Sequence, residues 1–248
     1  MPDPEERNPG RGREGDGLRR LLAESLAGFA RTLSGAEGIG PVLHDLADRV
    51  STALGAAGAG VILLDGGRVV AGPASRPLAV PFERIEEELQ EGPGLESAVS
   101  GRPVLVPDLL SGADRWPRWF SRASGAGIGA VASVPLRAGE VAVGALSIYD
   151  GSPREWPPAE IEPVRVLADL AAGYVDLARR LDQQRRLAEQ LQRALDSRVV
   201  IEQAKGIIAT HRGVAMDRAF EILRRHADRH GATVEQTADA VVRLGLRP

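Results

Sequence analysis

Lys205 is the only lysine in a chain with 31 basic side chains, so arginine fills every other basic position. A bias of this kind fits a GC-rich coding sequence, against which a retained ammonium suggests a need for a compact, rotatable donor. A guanidinium is a planar fork, and the two differ most at a close phosphate contact. His226 and His230 have the i, i+4 spacing that sets two imidazoles on one helix face. Asp228 between them points elsewhere, so the pair reads as a solvated basic face and not as a metal site. The absence of cysteine excludes disulfides, thiol nucleophiles, thiolate zinc sites and iron–sulfur ligation. Asp65 ends the apolar run Val61-Ile62-Leu63-Leu64 as a phospho-acceptor would. That chemistry also needs an acidic pair upstream and a nearby lysine, so Asp65 reads as a turn former. There is no phosphate-binding loop, histidine-based triad spacing or kinase motif, and no catalytic residue, metal site or cofactor is assigned.

At 248 residues the chain suffices for a medium domain plus a smaller one, each with its own core. Its 43% hydrophobic and 26% charged residues are ordinary for a globular protein. A net charge of −3 confines any nucleic-acid contact to a local surface. No apolar run reaches membrane-spanning length, and the polar N-terminus has no signal-peptide core, so a cytoplasmic protein without membrane contact is expected.

Residues 1–17, rich in Pro, Gly and charge, read as a disordered tail. Leu18, Leu21, Leu22, Leu26 and Phe29 follow helical spacing, as do Ile39, Val42, Leu43, Leu46, Val50 and Leu54. The chain then switches to sheet: Ala59–Leu64, Asp65-Gly66-Gly67 and Arg68-Val69-Val70 read as a hairpin. A helix over 81–91 with an acidic face, a short helix over 94–100 and a strand over 103–107 follow. The segment 114–126 is a helix or lid carrying Trp116, Trp119 and Phe120. Strands over 129–136 and 140–149 and a helix from Pro157 complete an α+β domain with an antiparallel sheet.

The segments Gly101-Arg102-Pro103-Val104, Val106-Pro107-Asp108, Ser133-Val134-Pro135-Leu136 and Gly144-Ala145-Leu146-Ser147-Ile148-Tyr149 resemble those of a bacterial regulatory GAF domain, over residues 18–178. The resemblance implies an antiparallel sheet flanked by helices and a small-molecule pocket over one face. Many relatives have a cysteine where this chain has Gly94, which excludes thiol-based sensing and the reductase chemistry of some GAF proteins. Trp116, Trp119, Phe120 and Tyr149 are candidates to line the pocket or to pack the core. The ligand is not readable, and a partner protein could dock there instead.

From Leu167 a heptad pattern sets Leu167, Tyr174, Leu181, Ala188 and Leu195 seven apart, with Leu170, Leu177, Gln184 and Leu191 three later. This a/d seam predicts a connecting helix and coiled coil over 160–197, most simply a parallel homodimer. Its first turns could equally pack on the sheet, and Gln184 and Ala188 weaken its middle.

Residues 187–248 resemble the ANTAR domain, most specifically in Ser197-Arg198 and Ile201-Glu202-Gln203-Ala204-Lys205-Gly206, with Ala219-Phe220-Glu221-Ile222-Leu223-Arg224 and Ala238-Asp239-Ala240-Val241-Val242. The residues predict an all-α three-helix unit. Its first helix runs to about Thr210 and is broken at Gly213. The second buries Ala219, Phe220, Leu223 and Ala227 and ends at Gly231. The third opens on a Thr233–Gln236 capping box and buries Val234, Ala238, Val241 and Leu244. The resemblance implies binding of paired RNA hairpin loops in nascent transcripts, and hence transcription antitermination. Arg198, Gln203, Lys205 and Gly206 would face RNA, Ala204 would allow close approach, and Arg212, Arg224, Arg225 and Arg229 would extend the basic surface.

The rival is a DNA-binding regulator using the last two helices as a helix-turn-helix. The third helix carries Glu235 and Asp239 and no base before Arg243, an unfavourable charge for a recognition helix.

Overall fold

The computed structural model describes residues 38–248, together with 24, 27–32 and 35. The tail over 1–17, and Leu18, Leu21, Leu22 and Leu26, lie outside the described residues. The chain divides into two units, 1–179 and 180–248.

In the first unit, helix α1 (Ile39–Ala53) leads into β1 (Gly58–Asp65) and β2 (Arg68–Ala74). Gly66 and Gly67 both have positive φ, 55° and 80°, as a two-residue type I′ hairpin requires. Helices α2 (Val80–Leu89) and α3 (Pro93–Ser100), strand β3 (Val104–Val106), a 3₁₀ turn (Leu109–Gly112) and α4 (Pro117–Ala123) follow. The hairpin β4 (Ala130–Ala138) and β5 (Val141–Asp150) precedes α5 (Pro158–Arg212). The five strands pair antiparallel in the order β2-β1-β5-β4-β3.

Both sheet faces are covered, so the strands alternate between two cores. On one side Ala130, Ala132, Val134, Leu136, Leu146 and Ile148 pack against Val42, Leu43, Leu46 and Val50 of α1 and Val164, Leu167 and Ala171 of α5. On the other, Val131 and Tyr149 meet Phe82, Trp116 and Trp119. Gln90 ends α2 in the left-handed region at φ 52°, and its side chain recovers that strain by bonding both Val69 N (2.8 Å) and Val69 O (2.9 Å). These bonds cover part of the backbone of edge strand β2.

The second unit comprises the C-terminal part of α5 with α6 (Met216–His230) and α7 (Val234–Arg243). Gly213 and Gly231, both at φ 62°, close α5 and α6 in the left-handed conformation that glycine adopts without a Cβ penalty. Ala204, Ile208, Ala219, Leu223, Ala238 and Val241 form the core. Two expectations fail here. Phe220 lies off the buried stripe Ala219–Leu223–Ala227, because the small alanines face the neighbouring helices and the ring is rotated outward. Leu244 is exposed, and Leu246 packs on the core instead.

The Thr233–Gln236 box is complete: Gln236 N donates to Thr233 Oγ1 (3.1 Å) and Thr233 N donates to Gln236 Oε1 (2.9 Å). Thr233→Ala is expected to cost about 1 kcal/mol of the second unit's stability, read as a lower melting temperature for loss of its helical signal. An unchanged transition would show that the cap is dispensable. By contrast α6 starts at Ala215 with no side-chain cap.

Candidate functional site

Two surfaces carry polar chemistry. The first is interior, where α2 and α3 cover the sheet. Helix α2 sets Phe82, Ile85, Glu86 and Leu89 at i, i+3, i+4 and i+7, which places Glu86 in the buried stripe, with Glu83 buried beside it. Glu86 accepts backbone N–H bonds from Gly94 (3.0 Å) and Leu95 (2.9 Å) in the first turn of α3. The Tyr149 hydroxyl of β5 donates to Glu83 Oε1 at 2.8 Å. The carboxylates fit because Gly60, Gly92 and Gly94 lack side chains: a Cβ at Gly60 or Gly92 would collide with Glu83 or Glu86, and one at Gly94 would lie 2.9 Å from Glu86 Oε2. Ser133 and Ser147 extend the polar strip across the cross-strand pair, Oγ to Oγ at 2.8 Å.

Burial raises the pKa of both acids. Glu83 goes well above the ordinary carboxylate value through desolvation and the neighbouring Glu86, against the Tyr149 bond. Glu86 is raised to about 7 by desolvation, which outweighs the two backbone bonds. Glu83 Oε2 and the Trp119 indole N–H are buried without hydrogen-bond partners among the described residues. Such groups are rare in a finished core.

Of the aromatic candidates, Trp116, Trp119 and Tyr149 are buried, and Phe120 is partly buried against the same cluster. Phe82 joins Trp119 and Tyr149 at centroid distances of 6.5 and 4.9 Å. Glu91 holds α4 in place by accepting from Arg118 N (2.9 Å) and Trp119 N (3.2 Å). The sequence reading missed Glu83 and Glu86; the signal was a glutamate at a core position of the Phe82–Ile85–Leu89 stripe.

The second surface belongs to the C-terminal unit. Arg198, Lys205 and Arg212 recur every seven residues on α5, a step of only about 20° around the helix, so they form one basic stripe. Arg198 is exposed and, with Arg224, makes no ion pair or side-chain hydrogen bond among the described residues. Lys205 is held by Glu202 at 2.8 and 3.0 Å, and its side chain is 15% exposed. Arg212 bonds the Pro248 carbonyl. Among the described residues Arg225 and Arg229 reach only backbone carbonyls one turn back on α6, both at 3.3 Å, and make no ion pair. Gln203 and Gly206 line an open groove of about 670 Å³ with Ile207, Thr210, His211, Val242 and Arg247. Ala204 is a correction: it is fully buried in the core, so it sets how closely α5 packs on α6 and α7 and offers no surface to a ligand.

His226 and His230 stack at 4.2 Å. Among the described residues no group of three or more His, Cys, Asp or Glu could hold a metal ion. No helix of the described residues is long and apolar enough to cross a membrane.

The chain thus combines a five-stranded antiparallel sheet with helices on both faces, a long helix and a small helical unit. The GAF domain family model matches residues 39–175, more than half of the chain, and the ANTAR domain model matches residues 189–242. The chain therefore belongs to the GAF domain family and carries a C-terminal ANTAR domain. No curated protein matches it.

Among solved structures it is similar to the GAF domain of a phosphoenolpyruvate-protein phosphotransferase from Acinetobacter, at 15% identity and TM-score 0.53, covering 66% of this chain and 98% of that one. The corresponding domain from Coxiella burnetii gives 16% and 0.53, over 68% and 98%. Free methionine-R-sulfoxide reductase from Neisseria meningitidis, in complex with its substrate, gives 18% and 0.52, over 68% and 93%. At these identities the likeness establishes the fold alone.

Proposed function

We propose that this protein is a cytoplasmic, signal-responsive RNA-binding regulator, not an enzyme, which acts by transcription antitermination. Its ANTAR domain engages paired hairpins in nascent RNA. The GAF domain receives the cue, a small molecule at the face lined by Trp116, Trp119, Phe120 and Tyr149 or a docked protein. Two copies of the chain pair through the exposed seam of α5, so that two ANTAR domains meet two hairpins.

The observation that carries this reading is the basic stripe Arg198–Lys205–Arg212 inside the segment matched by the ANTAR model, beside the uncompensated Arg224, Arg225 and Arg229 on α6. A chain of net charge −3 gathers an arginine-rich surface on one small unit, as phosphate neutralisation by a local surface requires. Gln203 and Gly206 add a groove with polar groups at its edge. The acids Glu235 and Asp239 on α7 do not suit insertion of that helix into a DNA major groove.

Equilibrium binding to a two-hairpin RNA and to duplex DNA at two salt concentrations tests the reading. The wild type is expected to prefer the RNA with a steep salt dependence. Arg198→Ala, an exposed change that leaves the fold intact, is expected to weaken binding and to lower the salt slope by about one. Lys205→Ala is expected to weaken it further. Equal or tighter binding to duplex DNA, or no nucleic-acid binding by the folded protein, would overturn it.

A further inference from the structure

Phe220 is the only Phe, Trp or Tyr in residues 180–248, and folding leaves it 38% exposed. The core of this unit is built from alanines and branched aliphatics without it. Met216 and Arg224, one turn away on either side along α6, are exposed too. Lys205 Nζ lies over the ring, 5.7 Å from its centroid. A large apolar ring kept at the surface beside two cations is a poor contribution to stability and a good one to recognition.

The surroundings select the occupant. An apolar protein segment would bury the Lys205 ammonium and leave Arg224 without a counter-charge. An unstacked nucleobase offers an aromatic face to the ring and brings flanking phosphates to the cations. Lys205 has three donors and spends two of them on one carboxylate, Glu202, so it can take a phosphate oxygen without surrendering that partner. Glu221, the next residue on α6, is already tied to Arg218 at 2.5 Å, and Asp217, one turn before Phe220, is exposed.

We infer that Phe220 is a stacking platform for one unpaired base of an RNA hairpin loop, with Lys205 and Arg224 on the phosphates flanking that base. This subsite rests on the RNA-binding reading proposed above and adds a residue that the sequence motif places in the core.

The test uses the full chain with Phe220→Leu, which keeps apolar bulk and removes the π face, and Phe220→Trp, which keeps both. The RNAs are a hairpin with an unpaired loop and a series in which each loop base in turn is abasic. Phe220→Leu is expected to lose about tenfold in affinity for the intact hairpin, while Phe220→Trp binds like the wild type. For the one RNA lacking the stacked base, the difference between wild type and Phe220→Leu should vanish. Sedimentation should show the same oligomeric state for all three proteins.

If the wild type binds the hairpin and Phe220→Leu binds equally well, the platform is refuted and the RNA-binding reading stands. A tenfold loss that persists across the whole abasic series, or a shift in oligomeric state, would make Phe220 a structural or subunit contact and also refutes it. If the wild type binds no hairpin, both readings fall together.

Discussion

The first unit is expected to become less stable as pH rises from 4.5 towards 7, and Glu86→Gln is expected to flatten that decline. Burial raises Glu86 from 4.5 to about 7 in the folded protein, so between these values the folded state keeps a proton that the unfolded state has released. Where the native state binds more protons, stability falls with pH, so the contribution is fully present below 4.5 and is lost through about 7. A shift of this size corresponds to about 3 kcal/mol, large against the total stability of a domain. Glu83 shifts in the same direction and interacts with Glu86, so the wild-type profile belongs to the pair. Urea unfolding at pH 5, 6, 7 and 8 makes the comparison. Glutamine mimics the protonated carboxyl, which likewise keeps one good acceptor for the Gly94 and Leu95 amides, so the variant should be close to wild type at pH 5 and more stable than it at pH 8. Parallel pH profiles would mean that Glu86 is solvated in solution and that the acidic cluster is not closed.

The same cluster marks where sequence reading stops. Strands β1, β4 and β5 were legible because their apolar runs are bounded by turn residues, and the Gly66-Gly67 hairpin because glycine supplies the positive φ that the tight hairpin turns need. The Thr233–Gln236 box was legible because both partners lie within one helical turn. Glu86 was not, since a carboxylate on a short helix looks like a solvated face unless its partners are known. Those partners are the backbone of Gly94 and Leu95 across a helix boundary, and space left by glycines that the chain brings together only on folding. Phe220 and Ala219 differ by one position, about 100° of helix rotation. Apolar periodicity alone favours the larger side chain for the core, whereas close packing against Ala204 and Ala238 favours the smaller. Ala204 was misplaced for the converse reason: a motif residue was read as surface when the motif combines a core position with its exposed neighbours.

The replacement Leu191→Asp with Leu195→Asp is expected to convert a dimer into a monomer and to abolish tight binding to paired hairpins. Along α5 the first heptad positions are already occupied, because Leu167 is buried in the sensor core and Tyr174 packs against it. Further along, Leu177 and Leu181 are exposed, and Leu191 and Leu195 are 59% and 58% exposed, on a seam that polar arginines and glutamines flank. Burying one such leucine is worth about 1.5–3 kcal/mol, so four of them on each of two helices supply a drive that an isolated amphipathic helix leaves unused. Aspartate at two adjacent seam positions would bury four like charges in the dimer, which no available partner offsets. Sedimentation equilibrium reads the oligomeric state directly. RNA binding reads the consequence, because linkage of two modules makes the second contact intramolecular. A single hairpin should therefore bind the variant about as well as the wild type, whereas a two-hairpin RNA should lose on the order of a hundredfold. Gln184 and Ala188 interrupt the seam, and leucine at both should tighten the dimer without touching the RNA surface. A wild-type monomer that binds two-hairpin RNA undiminished would separate the leucine stripe from RNA pairing and assign it to a partner other than a second copy of this chain.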